Sequence, residues 1–270
     1  MEILSPKKIK ELLLQYGASP LKGLGQNFLI NPGVLQKIID AADLKKEETV
    51  LEIGPGLGAL TRELAQRAKK VLAIEKDRKY AAILKETLNE YKNVQILHAD
   101  ALDFKPKETN YKLIANLPYN ITSAVIRKFL ETENRPKEMV LMVQKEVARR
   151  ICAGPPQMSL LAVSVRFYGE PRIMSFVSKG SFWPAPNVDS AILKIKIKKK
   201  TEAIEPGLFF KIVKAGFSAP RKQLTGNLTK RLGIPREITE KHLIKADITP
   251  SRRAETVSLD EWIRLAELFS

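Results

Sequence analysis

Between residues 47 and 145, short apolar runs alternate with longer amphipathic stretches. The apolar runs have the length of strands, and they are Thr49 to Ile53, Lys70 to Glu75, Val94 to Ala99, Tyr111 to Ala115 and Glu138 to Val143. The stretches between them have the length and periodicity of helices, as in Leu60 to Ala68 and Arg78 to Tyr91. Strands that alternate with helices form a parallel sheet covered on both faces, so this pattern predicts an open α/β fold.

The pattern changes after Pro155-Pro156. An apolar stretch from Met158 to Tyr168 precedes two strand-like runs, Arg172 to Val177 and Ala191 to Ile197. The last run alternates apolar residues with lysines, which predicts an antiparallel edge strand protected by charge. We therefore expect a mostly parallel seven-stranded sheet with one antiparallel strand in residues 1–202. From residue 204 on, short helical pieces broken by Gly and Pro predict a small all-α domain over 203–270.

The charge of the chain favours a partner rich in phosphate. The sequence has 46 Lys and Arg residues against 30 Asp and Glu, a net charge of +16. Such an excess binds nucleic acid through the release of counterions, although some basic proteins are merely solvated. Residues 194–270 hold 17 of the basic and 9 of the acidic residues. The predicted helical domain is therefore the expected platform for the substrate.

The scarcity of cysteine and histidine limits the chemistry. Cys152 is the single cysteine, and His98 and His242 are the two histidines. These residues can form neither a disulfide nor a Cys/His metal cluster, so we expect no metal cofactor. No apolar run reaches about 18 residues, and the amphipathic N-terminal segment has no small-residue cleavage site. We expect a cytoplasmic protein with no membrane association, and a monomer.

A glycine-rich loop, Glu52 to Gly58, follows the first predicted strand and opens a helix. Its glycines allow a sharp turn and the close approach of a nucleoside-type ligand. The spacing is G-x-G-x-G, which differs from the G-x-G-x-x-G of dinucleotide-binding loops, and Pro55 removes an N–H that would hold a pyrophosphate. S-adenosylmethionine has no phosphate and is therefore favoured. A nicotinamide or flavin cofactor, or a purely structural turn, remains an alternative.

Two acidic residues end the next two predicted strands. Glu75 lies 17 residues after Gly58, where its carboxylate can accept hydrogen bonds from both ribose hydroxyls of a nucleoside. Asp100 can accept from the adenine amino group of the cofactor, or it is the N-cap of a helix. We interpret His98 as structural.

The tetrapeptide Asn116-Leu117-Pro118-Tyr119 follows the fourth predicted strand, at the sheet edge where open α/β folds bind ligands. An adenine amino group is a poor nucleophile because its lone pair is delocalised into the ring. The side-chain oxygen of Asn116 and a backbone carbonyl at Leu117 or Pro118 could accept both of its N–H bonds and aim the lone pair at a sulfonium methyl. Tyr119 offers a face on which the base can stack. The alternative is a structural Asn-x-Pro turn.

These motifs together resemble those of the rRNA adenine N6-dimethyltransferase family, most closely its bacterial small-subunit type. The resemblance covers nearly the whole chain. It rests on five segments, which are Leu24 to Leu29, Glu52 to Leu60, Asn116 to Tyr119, Val143 to Arg150 and Phe182 to Ala191. A further segment, Phe217 to Leu228, resembles the small-subunit enzymes. Pro155-Pro156 departs from the Tyr-Gly that is usual in the family.

The resemblance implies a Rossmann-like S-adenosylmethionine-dependent methyltransferase domain and assigns roles to residues. The implied cofactor-binding residues are Gln26, Asn27, Leu29, Gly54, Gly56, Glu75, Lys76, Asp100, Ala101 and Asn116. The implied catalytic residues are Asn116, Leu117, Pro118, Tyr119 and Phe182, with Phe182 as a second aromatic face against the target adenine or, alternatively, a loop anchor. Arg221 and Lys222 are implied to meet the RNA backbone, unless they form a solvated helix face.

The implied reaction is dimethylation of two adjacent adenosines near the 3′ end of small-subunit (16S) rRNA, in the assembling 30S subunit. Three alternatives remain open. They are a large-subunit rRNA dimethyltransferase of the macrolide-resistance type, a DNA adenine methyltransferase, and an RNA-binding ribosome-assembly factor whose catalysis is dispensable. The intact Asn-Leu-Pro-Tyr segment favours catalysis.

Overall fold

A computed structural model describes residues 5–20, 26–198 and 204–269 of the chain. Within these residues the helices are α1 (Pro6–Gln15), α2 (Pro32–Ala42), α3 (Ala59–Ala65), α4 (Arg78–Thr87), α5 (Thr122–Glu131), α6 (Lys145–Cys152), α7 (Leu160–Tyr168), α8 (Pro206–Gly216), α9 (Leu224–Leu232), α10 (Arg236–Lys245) and α11 (Leu259–Glu267). The strands are β1 (Phe28–Leu29), β2 (Thr49–Ile53), β3 (Lys70–Glu75), β4 (Val94–His98), β5 (Tyr111–Asn116), β6 (Glu138–Gln144), β7 (Gly169–Val177), β8 (Phe182–Trp183) and β9 (Ser190–Ile197). None of the described helices is long and apolar enough to cross a membrane.

Seven of the described strands form one sheet in the order β4-β3-β2-β5-β6-β9-β7. β2 lies parallel to β3 and β5, β3 to β4, and β5 to β6, whereas β9 is antiparallel to β6. This confirms the predicted sheet, and the predicted strands differ from the observed ones by a few residues at most. The order reverses between β2 and β5, and such a switch point opens a crevice at the carboxyl ends of the strands.

The prediction that Ala191 to Ile197 forms an edge strand is wrong. β9 is antiparallel as predicted, but it lies between β6 and β7, and β7 forms the edge. Ile192 and Leu193, which point to opposite faces, are both fully buried because both faces of the sheet are covered. Lys194 is only partly exposed, and its Nζ donates to the carbonyl of Ala41 at 2.8 Å.

The chain divides into two compact units. One comprises the described residues of Met1–Ala148 and Pro171–Ile197, and the other comprises Arg149–Glu170 and the described residues of Lys198–Ser270. The sequence instead predicts a boundary between residues 202 and 203, which lies outside the described residues, as do Leu24 and Gly25 of the N-terminal motif. The segment from Arg149 to Glu170 lies in the second unit, since the aromatic side chains of α7 pack on α8. Phe167 stacks on Phe209 with ring centroids 4.3 Å apart.

The second unit has its own core. The fully buried Trp262 of α11 packs so closely on α8 that a Cβ added to Gly216 would lie 2.4 Å from its ring. A capping box between Ser258 and Glu261 begins α11, and Glu261 also pairs with Arg252 at 2.5 Å. The described residues from 204 on contain helices and no strand, as the sequence predicts.

Candidate active site

A cavity opens at the carboxyl ends of the parallel strands, within the first unit. The segments that line it are the loop before β1, the loops after β2, β3 and β4, and the loop between β5 and α5. Its lining includes most of the residues singled out in the sequence: Gln26, Asn27, Leu29, Gly54, Gly56, Glu75, Lys76, Asp100, Ala101, Asn116, Leu117, Pro118 and Tyr119. The structure therefore brings the predicted cofactor and catalytic segments into one pocket.

The glycine loop between β2 and α3 turns through left-handed backbone conformations. Gly54 and Gly56 have φ values of 66° and 59°, which side chains other than glycine adopt at a cost. A Cβ on Gly56 would lie 3.4 Å from the ring of Phe28, and one on Gly54 would lie 3.5 Å from Pro118. The loop is therefore packed between the N-terminal strand and the Asn-Leu-Pro-Tyr segment.

Two buried carboxyl groups lie under this loop. Glu75, at the end of β3, is 6% exposed, and burial raises the pKa of its carboxyl although the backbone N–H groups of Asp77 and Gly56 donate to it. Glu52, in β2, is 1% exposed, and burial raises its pKa to about 8. One carboxyl oxygen of Glu52, Oε2, has no hydrogen-bond partner. Buried acids that lack a compensating cation favour a positively charged or hydrogen-donating ligand.

Asp100 is engaged by the protein itself. Its Oδ1 accepts from the backbone N–H of Leu102 at 2.9 Å, and its Oδ2 pairs with Lys76 Nζ at 2.7 Å. The bond from Lys76, together with the backbone bond, lowers the pKa of Asp100. The carboxylate thus supports a turn after β4, where the described residues begin no helix, and it also faces the cavity.

Asn116 ends β5, and its side-chain amide has a defined orientation. Its Nδ2 donates to the backbone carbonyl of Asn27 at 3.1 Å. Because a carbonyl can only accept, the amide nitrogen must face Asn27, and Oδ1 is the atom that can accept from a ligand in the cavity. The segment before β1 thus fixes the amide that the sequence singled out.

The rest of the tetrapeptide is held by its neighbours. The carbonyl of Pro118 accepts from the N–H of Ile121 at 3.2 Å and from the hydroxyl of Thr122 at 3.3 Å, at the start of α5. The hydroxyl of Tyr119 lies 2.6 Å from Oγ of Ser190, a fully buried residue that begins β9. Burial raises the pKa of Tyr119, so its ring carries a neutral hydroxyl.

The structure does not bring Phe182 into the cavity lining. Phe182 is 3% exposed, pairs with Leu29 across the two-stranded ribbon of β8 and β1, and packs in the core, which matches the loop-anchor alternative. Arg221 and Lys222 are exposed in the turn between α8 and α9, in the second unit. Their predicted contacts with RNA, and that of Phe182 with an adenine, stay predictions.

Helix α1 also forms part of the site, which the sequence motifs do not indicate. Ile9 lines the cavity and is 1% exposed, and it packs in a cluster with Leu13, Phe28 and Leu57. The ring of Phe28 stacks on Trp183 with centroids 6.4 Å apart. The amphipathic N-terminal segment was the available signal, but nothing in it shows where a helix packs.

Comparison with known proteins matches this architecture to one family. The sequence model of the family described as Ribosomal RNA adenine dimethylase matches residues 21–270. The chain is 50% identical to the "Ribosomal RNA small subunit methyltransferase A" of Dehalococcoides mccartyi, with 95% of this chain and 90% of the relative covered. It is 41% identical to the protein of the same name in Enterococcus faecalis, with 98% and 95% covered.

Two solved structures share the fold. A dimethyladenosine transferase from Plasmodium falciparum superposes with a TM-score of 0.80 at 28% identity, covering 88% of this chain and 95% of that one. The 23S rRNA methyltransferase ErmE superposes with a TM-score of 0.74 at 29% identity, covering 90% and 99%. The chain belongs to the ribosomal RNA adenine dimethylase family.

Proposed function

We propose that the cavity binds S-adenosylmethionine. The residues fit this cofactor, because buried Glu52 and Glu75 favour a ligand that carries positive charge and ribose hydroxyls, and Gly54 and Gly56 place no side chain against it. Glu75 would accept from the ribose, and Asp100 and Ala101 would flank the adenine. When bound, the cofactor supplies a methyl group on a sulfonium, which needs no metal to be transferred.

The target of the methyl group is the N6 amine of an adenine, and one observation carries this proposal. The carbonyl of Asn27 orients the amide of Asn116 so that Oδ1 can accept from an amino group. A second acceptor is required, and the Pro118 carbonyl already accepts from two donors. We therefore assign the second acceptor to the carbonyl of Leu117. Two acceptors localise the lone pair of the amine, and the ring of Tyr119 supports the base.

The proposed substrate is small-subunit rRNA in the assembling 30S subunit, in the cytoplasm, with two adjacent adenosines near its 3′ end converted to N6,N6-dimethyladenosine. The identities of 41–50% to small-subunit methyltransferases support this choice, as does the net charge of +16. Arg221 and Lys222 would contact phosphates, and the modification would form part of subunit biogenesis. The likeness to ErmE leaves a large-subunit target as the second candidate, at a lower identity of 29%.

The test incubates the full-length protein and labelled S-adenosylmethionine with small subunits from a strain that lacks the modification. Large subunits and duplex DNA serve as parallel substrates. We expect N6,N6-dimethyladenosine in hydrolysates of the small subunits alone. Label in 23S rRNA would instead indicate a large-subunit rRNA methyltransferase, and label in DNA would indicate a DNA adenine methyltransferase. Binding of small subunits without methyl transfer would favour the ribosome-assembly factor.

A further inference from the structure

The edge strand β7 exposes an apolar and basic surface. Its alternate residues Arg172, Met174 and Phe176 face solvent, and Met174 and Phe176 are 43% and 49% exposed. Pro171 interrupts the hydrogen-bonding edge, which protects the strand from pairing with another chain. Exposed large apolar side chains beside cations mark an interaction surface more often than isolated ones do.

This surface lies next to the candidate active site. Nζ of Lys145, the residue after β6, lies 5.4 Å from the centre of the Phe176 ring. The backbone N–H of Lys145 donates to the carbonyl of Asp189 at 3.0 Å, and the next residue, Ser190, bonds the hydroxyl of Tyr119. A series of contacts through Lys145 and the start of β9 therefore connects Phe176 with Tyr119, near the carboxyl end of β6.

The chemistry of the surface fits a nucleotide. An aromatic face binds any base by stacking, and a neighbouring lysine can meet its phosphate. The cations on and beside this surface are Lys145, Arg172 and the exposed Lys179. They outnumber its two carboxylates, which are Asp189, paired with Lys145 at 3.6 Å, and the exposed Glu170 at the start of β7. An adenine that enters a pocket must leave its stack, which also unstacks its neighbour. The neighbouring base then needs a new partner.

We propose that Phe176, with Lys145 and Met174, forms a stacking platform for an unpaired nucleotide that flanks the target adenine. The proposal rests on the proposed function, because it assumes that an adenine of single-stranded RNA occupies the cavity beside Tyr119. The platform holds the strand and takes no part in the chemistry. Its loss therefore weakens binding of the RNA and leaves binding of the cofactor intact.

The experiment compares Phe176→Ala, Phe176→Leu and Phe176→Trp in the full chain, with unmodified small subunits as substrate. Leu14→Ala is the matched control, since Leu14 is 83% exposed in the same unit. Loss of one base stack raises the KM for RNA by about 5- to 150-fold in the Ala variant. We expect the Leu variant to behave like Ala, because it keeps apolar area but no ring face. The Trp variant and the control should match the wild type, and the cofactor Kd should stay constant throughout.

Three outcomes would overturn the platform. The first is an unchanged KM in Phe176→Ala while the wild type methylates RNA. The second is a Leu variant that matches the wild type, since an apolar protein surface would then be the occupant. The third is an equal loss in Leu14→Ala. Absence of methyl transfer by the wild type would instead overturn the proposed function, and the platform with it.

Discussion

Acidic side chains are buried at both ends of the parallel strands. The acids at the amino ends pair with lysines, whereas burial raises the pKa of Glu52 and Glu75 at the carboxyl ends. At the amino ends, Lys112 lies among Glu48 and Glu138, with Nζ to carboxyl oxygen distances of 3.2 and 3.6 Å, and Lys194 pairs with Glu138 at 2.9 Å. Lys137 also pairs with Glu48. Burial favours the neutral form of Glu48, yet the bonds from these lysines and from the backbone lower its pKa. Each acid there has a cation from the chain itself.

At the carboxyl ends, burial instead raises the pKa of Glu52 and of Glu75. The neighbour that perturbs Glu52 by charge is another acid, Glu75. Pairing of Glu48 and Glu138 with lysines stabilises the fold, whereas buried acids with raised pKa values, such as Glu52 and Glu75, are typical of a ligand-binding site. Variants at the two ends should therefore fail in different ways.

The largest expected effect is on stability, from Lys112→Met. The substitution strips the buried acids of a cation and removes the donor to the carbonyls of Ala42 and Asp43, at 2.6 and 3.0 Å. Breaking a buried pair costs roughly 3–5 kcal/mol in the free energy of unfolding. Urea unfolding measures this loss. The folded variant should bind S-adenosylmethionine normally.

Lys45→Met is the control for that variant, because Lys45 pairs with Asp43 at an exposed surface. It should leave the free energy of unfolding nearly unchanged, because solvent screens an exposed ion pair. Equal destabilisation by the two substitutions would mean that the network at the amino ends adds nothing beyond surface pairing.

A smaller effect, of the opposite kind, is expected from Glu75→Gln. It should weaken S-adenosylmethionine binding by about 1–3 kcal/mol, because hydrogen bonds to a charged acceptor are lost. Calorimetric titration measures the affinity, with the exposed Glu90→Gln as control. Unaltered affinity would exclude Glu75 from the cofactor site.

An effect of a third kind, on the pH dependence of stability, is expected from Glu52. Its carboxyl has a pKa of about 8 in the folded chain against an ordinary 4.5, so between these values the folded protein holds a proton that the unfolded chain has lost. Stability from this group is therefore full below pH 4.5 and declines towards pH 8, by about 1.4 kcal/mol per pH unit. Glu52→Gln should flatten the decline in unfolding free energy between pH 5.5 and 8. A variant with the wild-type slope would contradict the assignment.

Much of the fold and of the cavity could be predicted from local sequence. The strand bounds follow from apolar runs, and the tetrapeptide and Glu75 lie in the cavity because strand ends meet at one sheet edge. The position of β9 could not be predicted, because alternating lysines look the same at an edge and in an interior ion network. Lys194 pairs with Glu138 and donates to a carbonyl at the end of α2, and both partners lie far from it in sequence.

The orientation of Asn116 and the packing of α1 also depend on contacts distant in sequence. Asn27 lies 89 residues from Asn116, and Tyr119 lies 71 residues from Ser190. A sequence motif can identify such residues, but the spacing between residues does not show which of their atoms are in contact. The burial of Phe182 could not be predicted for the same reason. β8 and β1 pair over only two residues, which is too short to give a periodic pattern in the sequence.

The central claim is that Asn116 activates an adenine amine, and single-turnover methyl transfer tests it most directly. Asn116→Ala removes one acceptor, so the rate constant at saturating cofactor and RNA should fall by about 10²–10³, while calorimetry still detects S-adenosylmethionine binding. The exposed Asn89→Ala should transfer at the wild-type rate. A rate constant unchanged in Asn116→Ala would contradict the account.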